Sequence, residues 1–247
     1  MSARQMALQP EPLKTALVTG GAKRVGRELA FALARAGMNI AITYSESETE
    51  ALETVSAIQA LGARALALHL DVRSEQSARE AVAATVAHFG SLDLLVNNAA
   101  VFESVPLAEI TLDQWDRVFE TNTRGPFLMA REALPHLKAA QGRIVNLGSL
   151  GGMHPWATHA HYCASKAALH MLTQTMAKAF APEVSVNCVA PGYIQMQEGR
   201  EAAHFAAKTP MTRNGTAADV AAAVLFFATG PHFITGQILA VDGGLGL

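Results

Sequence analysis

Tyr162 and Lys166 stand four residues apart in His161-Tyr162-Cys163-Ala164-Ser165-Lys166, and Ser149 precedes the tyrosine by thirteen positions. On a helix, that four-residue spacing puts two side chains on one face, about 5–6 Å apart at Cβ. An ammonium beside a phenol stabilises phenolate, so the spacing predicts a lowered Tyr162 pKa and a general acid. Each unit of such depression corresponds to about 1.36 kcal/mol. Ser149 could donate to a carbonyl oxygen while Tyr162 supplies the proton. The chemistry these groups suit is carbonyl reduction, with hydride supplied by a nicotinamide.

The elements that would position them follow an alternating pattern. Thr15–Thr19 reads as a buried strand ending in Gly20-Gly21, with an Ala/Leu-rich helix from Val25 to Ala36 and a second strand at Asn39–Tyr44. Further strands are expected near 64–70, at Leu92–Val96, Arg143–Leu147, Val184–Val189 and Gln237–Val241. Helices are expected near 48–61, 75–89, 113–139, 161–181 and 216–229. Strands separated by helices pair in parallel through right-handed crossovers. The expected fold is α/β, a single Rossmann-type doubly wound domain over 14–247 with a mostly parallel seven-stranded sheet. Residues 1–13 read as a flexible tail, and Tyr193–Thr209 as a substrate lid.

Ligands of such sheets bind at the carboxyl ends of the strands. Thr19-Gly20-Gly21-Ala22-Lys23-Arg24-Val25-Gly26 joins the first strand to the first helix, where glycines and free helix N–H groups can approach a pyrophosphate. Asp71, in Leu70-Asp71-Val72, could receive an adenine amino group or cap the next turn. Asn97-Asn98-Ala99-Ala100 permits close backbone approach to a cofactor, although a plain Asx turn also explains it. Pro191-Gly192-Tyr193-Ile194 could hold a carboxamide or form an ordinary rigid turn. Tyr44-Ser45 ends the second strand without the acidic residue that would repel a 2′-phosphate, and Lys23 lies in the pyrophosphate turn. Glu46 and Glu48 could oppose that phosphate, or simply begin a helix.

With 247 residues and 50% hydrophobic content the chain can bury one large core. A net charge of −2 without a basic stripe argues against nucleic acid as a partner. Residues 1–13 lack a secretory apolar run, and no segment is apolar enough to span a membrane, so a cytoplasmic protein acting on a small molecule is expected. Cys163 and Cys188 are the only cysteines and are expected to be reduced core residues. His154, His159 and His161 lack a carboxylate or cysteine completing a ligand set, so no metal is expected and a polar rim of the pocket is favoured. Met153, Trp156, Met196 and Phe205 could line that pocket or serve as ordinary packing.

Taken together, the turn at 19–26, Asp71, Asn97–Ala100, Asn122, Ser149, Tyr162, Lys166, Pro191-Gly192 and Val241-Asp242-Gly243-Gly244 resemble the short-chain dehydrogenase/reductase family over about residues 14–244. The resemblance implies that Lys166 orients the nicotinamide ribose and that Asn122 organises a water relay to that lysine. It also implies that a basic residue at Lys23 favours NADPH (NADP+), with Ser45 or Ser47 assisting. Arg24 stands where the family usually has glycine, a variant resembling the pteridine reductases, and Ala100 replaces another usual glycine. Ser149, however, stands where those pteridine reductases carry aspartate. Expected substrates are therefore a carbonyl or a pterin-like C=N, with a 3-oxoacyl-carrier-protein reductase as the alternative. An NADP(H)-binding sensor or scaffold without catalysis is the alternative from another class. The family usually forms homotetramers through long helices, and Ala167, Ala168, Leu169, Met171 and Leu172 could supply such a face or the chain's own core.

Overall fold

The computed structural model describes residues 14–196 and 199–247. The expected tail at 1–13 lies outside the described residues, as do Gln197 and Glu198 of the expected lid. The strands are β1 (Thr15–Val18), β2 (Asn39–Tyr44), β3 (Ala65–His69), β4 (Leu94–Asn97), β5 (Arg143–Leu147), β6 (Ser185–Pro191) and β7 (Ile238–Val241). They form one seven-stranded sheet in the order β3-β2-β1-β4-β5-β6-β7. Every pairing is parallel, so the mostly parallel sheet expected from the sequence is wholly parallel.

The helices are α1 (Arg24–Arg35), α2 (Glu48–Ala60), α3 (Glu75–Phe89), α4 (Leu112–Phe119), α5 (Gly125–Ala139), α6 (Ala160–Phe180), α7 (Arg200–Lys208) and α8 (Ala217–Thr229). Alternate residues of a strand face opposite sides, and this sheet is apolar on both. Ala16, Val18, Ile40 and Ile42 pack with Leu29 and Leu33 of α1 and Val224 and Phe227 of α8. Leu17, Ala41, Leu95 and Ile144 pack on the other face with Val82 of α3, Met129 and Leu137 of α5, and Met176 of α6.

One expectation is corrected and another gains detail. The helix expected near 113–139 is split by a π-turn at Glu120–Arg124. Pro126, just inside α5, has no N–H to continue the ladder, and Gly125 lies against Val72, where a Cβ would come within 3.1 Å. The wider turn carries one extra residue inward and buries Thr121 and Asn122. The segment read as a lid contains α7, whose Phe205 stacks on Tyr193 at 4.3 Å between ring centroids. Of the α6 residues offered as a contact face, Leu169 is buried and Leu172 packs on the core, leaving Ala167 and Met171 exposed. Cys188 is buried as expected, whereas Cys163 is only half-buried.

Candidate active site

The strand order reverses between β1 and β4, and their carboxyl ends open onto a cleft of about 630 Å³. Gly20 takes φ +63°, a conformation that suits glycine, and its N–H donates to Thr43 Oγ1 at 3.2 Å. Gly26, in the first turn of α1, sits so close to Gly20 that a Cβ would fall 2.1 Å from the Gly20 carbonyl oxygen and 2.6 Å from Asn98 Nδ2. That same Nδ2 donates to the carbonyls of Thr19 at 2.9 Å and Gly20 at 3.0 Å. Thr19 Oγ1 in turn accepts from the backbone N–H groups of Asn98 and Ala99, both at 3.0 Å. The turn is thereby braced against β4, with the amino end of α1 facing the cleft, as phosphate binding requires.

The cleft is lined by Gly20, Lys23, Arg24, Val25 and Gly26, by Tyr44 and Ser45, by Asp71 and Val72, and by Asn98, Ala99 and Ala100. Pro191, Gly192, Ile194, Tyr162 and Lys166 do not line it. Gly192 is tied to β7, its N–H donating to the Val241 carbonyl at 3.0 Å, and Ile194 bridges Gly215. Arg73 and Val101, which sequence reasoning did not single out, also line the cleft. Arg73 forks onto Asp71 at 2.9 and 2.8 Å, and its guanidinium beside the carboxyl holds Asp71 below its ordinary pKa. Asp71 also accepts from the Arg73 N–H at 3.0 Å in a local turn, while Ser74 caps α3. Glu48 opens α2 and bonds the Tyr44 hydroxyl. Lys23 makes a 4.0 Å exposed pair with Glu50.

The candidate catalytic side chains collect beyond β5. Ser149 is buried, its Oγ accepting from the Gly151 N–H at 3.1 Å. The Tyr162 phenol faces the Ser149 hydroxyl. Burial raises the phenol above its ordinary pKa, and Ser149 opposes that rise. This corrects the sequence expectation of a phenol lowered by Lys166: the ammonium lies 5.8 Å from the phenol ring centroid and donates instead to the Leu147 carbonyl at 2.7 Å. Tyr162 therefore holds its proton at neutral pH. Lys166 is itself buried, which lowers it to about 8.

Asn122 and Lys166 approach through α6. The Asn122 Oδ1 accepts from the Val101 N–H at 2.9 Å, and its Nδ2 donates to the Val101 carbonyl at 2.9 Å and to Ser165 Oγ at 3.1 Å. Its amide thus braces α6 against the segment after β4. His170, one turn beyond Lys166, was not anticipated. Its Nε2 accepts from the Ser149 N–H at 3.4 Å, in a slot where a Cβ on Gly148 would come within 2.3 Å. Burial, reinforced by the Lys166 charge, lowers His170 to about 4 and keeps it neutral. Among the described residues no group of three His, Cys, Asp or Glu side chains could hold a metal ion, and no helix is long and apolar enough to cross a membrane.

Residues 20–246 match a family model described as enoyl-(acyl carrier protein) reductase. A 3-oxoacyl-(acyl-carrier-protein) reductase of Synechocystis is 36% identical over 238 residues, 94% of this chain and 96% of that protein. The chain belongs to the short-chain dehydrogenase/reductase family. A solved dehydrogenase/reductase of this fold from Sinorhizobium meliloti superposes with a TM-score of 0.91 at 36% identity, covering 95% of each chain. A short-chain dehydrogenase from Burkholderia cenocepacia, solved in complex with NADP, matches with a TM-score of 0.90 at 38% identity over 95% of this chain and 98% of its own. This short-chain dehydrogenase/reductase has the tyrosine, serine, lysine and asparagine positions filled and buried or half-buried together.

Proposed function

We propose that the protein is an NADPH-dependent oxidoreductase that reduces a carbonyl group, with Tyr162 as general acid. The observation that carries this reading is the gathering of Ser149, the Tyr162 phenol and buried Lys166 beyond β5, at the carboxyl ends of the same parallel strands that carry the braced nucleotide turn. The cleft residues fit a dinucleotide: the glycine approach at Gly20 and Gly26 leaves backbone room for a pyrophosphate, and Lys23 with Ser45 stands at its rim without an acidic residue ending β2. Bound there, NADPH supplies hydride to the carbonyl carbon, becoming NADP+.

Ser149 donates to the carbonyl oxygen and fixes its direction. Tyr162, kept protonated by its buried setting, gives that oxygen its proton, yielding the alcohol; the phenolate then recovers a proton from solvent. Lys166 orients the nicotinamide ribose and favours the phenolate left after transfer. Asn122 sets the distance between α6 and the segment after β4. The mode of assembly we propose is a homo-oligomer, a tetramer, supported by exposed Met171 on α6.

A ketone is favoured over a pterin C=N because Ser149 supplies the carbonyl donor; Arg24, exposed at the cleft with φ +53°, is what speaks for the pterin. The similarity to a 3-oxoacyl-(acyl-carrier-protein) reductase supports an acyl thioester as a second reading. The test is NADPH loss with an acetoacetyl thioester, simple diketones, aryl ketones and dihydrobiopterin. Turnover of a carbonyl compound is expected; turnover of dihydrobiopterin alone would overturn the reading.

A further inference from the structure

Four rings, the Tyr162 phenol among them, close a cycle. Tyr162 meets the edge of Phe102 at 4.8 Å and 90°, and lies nearly parallel to Trp156 at 6.2 Å and 14°. Phe102 stacks on His159 at 4.7 Å and 23°, and His159 meets Trp156 edge-on at 5.7 Å and 85°. Such offset-stacked and edge-to-face pairs are the arrangements that aromatic quadrupoles favour.

The cycle joins two loops that the fold ties together. Phe102 follows β4, whereas Trp156 and His159 precede α6, and the Val105 N–H donates to the Thr158 carbonyl at 2.7 Å. Thr158 Oγ1 and His159 Nδ1 are hydrogen-bonded at 3.0 Å, which fixes the imidazole behind Phe102. Glu103, next to Phe102, is held by Arg117 of α4. Trp156 lies flat on Gly151, where a Cβ would come within 3.0 Å of its ring. Phe102 is nevertheless 60% exposed. A single exposed phenylalanine is unremarkable. This one is immobilised, backed by an imidazole, and adjoins the proton donor.

From this we infer that Phe102 is a specificity-determining platform, and that it stacks an aromatic ring bonded directly to the carbonyl, making aryl ketones the substrate class. An alkyl group on that platform would gain only apolar contact, while a ring would add the quadrupole term. The inference rests on the carbonyl-reductase reading of the same site and deepens it.

The experiment compares acetophenone with cyclohexyl methyl ketone in wild type, Phe102→Leu and Phe102→Tyr, using NADPH. Because the intrinsic reactivity of each ketone cancels, the quantity read is the change in the aryl-to-cyclohexyl ratio of kcat/KM. That ratio is expected to fall about fivefold in Phe102→Leu and to be retained in Phe102→Tyr, on the scale of one ring pair. An unchanged ratio in Phe102→Leu would overturn the inference. Calorimetry of 1-phenylethanol and 1-cyclohexylethanol with the NADP+ complex gives a readout besides turnover: preference for the phenyl alcohol in wild type supports the platform, and equal affinity refutes it. Preferential binding without reduction of any ketone would instead count against the reductase reading while leaving the platform standing.

Discussion

His170→Gln exposes how the fold holds its serine. In the native protein the imidazole accepts the Ser149 N–H at 3.4 Å and is lowered to about 4, first by burial and then by the Lys166 charge. An unfolded histidine titrates near ~6.5. As pH falls below that value the unfolded chain binds a proton that the folded chain refuses, so stability declines until pH approaches 4. Between pH 7 and 4.5 the difference amounts to roughly 2.5 kcal/mol from this one residue, at about 1.36 kcal/mol per unit. Glutamine keeps an acceptor and does not titrate. Its absolute stability at pH 7 is expected to drop because it fills the slot less well, but the slope with pH is the informative quantity. His159, also lowered by burial and by His161, contributes a slope of the same sign in both proteins and cancels in the comparison. Urea unfolding across pH 4.5–7.5, at one protein concentration, should show wild type losing about 2 kcal/mol more than the variant. Parallel curves would show that His170 is not held neutral by its burial, and the account of the Ser149 loop would fail.

Two further substitutions probe the brace around the cleft. In Gly26→Ala the added methyl meets the Gly20 carbonyl at 2.1 Å, so α1 must move from the turn: we expect an overpacking cost of about 1–3 kcal/mol, read as a drop of several degrees in Tm, and at least ~10-fold weaker NADPH binding by fluorescence titration. Asn122→Ala leaves the Val101 N–H and carbonyl without their partner, an expected loss of about 2 kcal/mol with a matching fall in kcat; denaturant unfolding together with steady-state rates checks both.

Much of this architecture is written in local patterns. Apolar β runs bounded by glycine placed all seven strands within about two residues, because parallel strands covered on both faces are short and continuously hydrophobic. Of the residues expected to hold the cofactor, those at or after the ends of β1, β2, β3 and β4 line the cleft because strand ends are placed by topology, whereas Tyr162, Lys166, Pro191, Gly192 and Ile194 do not line it. The π-turn at Glu120–Arg124 was not legible, since a helical periodicity from 113 to 139 runs across it, and only Gly125-Pro126 hints at the break. Nor was α7: the run Arg200–Lys208 lacks a side-chain N-cap, its N-cap position being Gly199. The source of the Tyr162 shift also escaped sequence reasoning. Spacing gives the distance between two groups on a helix but not their burial, and here burial outweighs the neighbouring ammonium. His170 and the Phe102 platform depend on segments meeting across more than twenty residues, a helix with a loop in one case and two loops in the other, which no local pattern encodes.

The central claim is that the Tyr162 hydroxyl delivers the proton. Tyr162→Phe removes one oxygen and retains the ring that contacts Phe102 and Trp156. Single-turnover reduction of the best carbonyl substrate by preloaded NADPH should slow by roughly 10²–10⁴-fold, the range for loss of a general acid, with NADPH affinity within about twofold of wild type. A rate equal to wild type, at equal NADPH occupancy, would contradict the assignment.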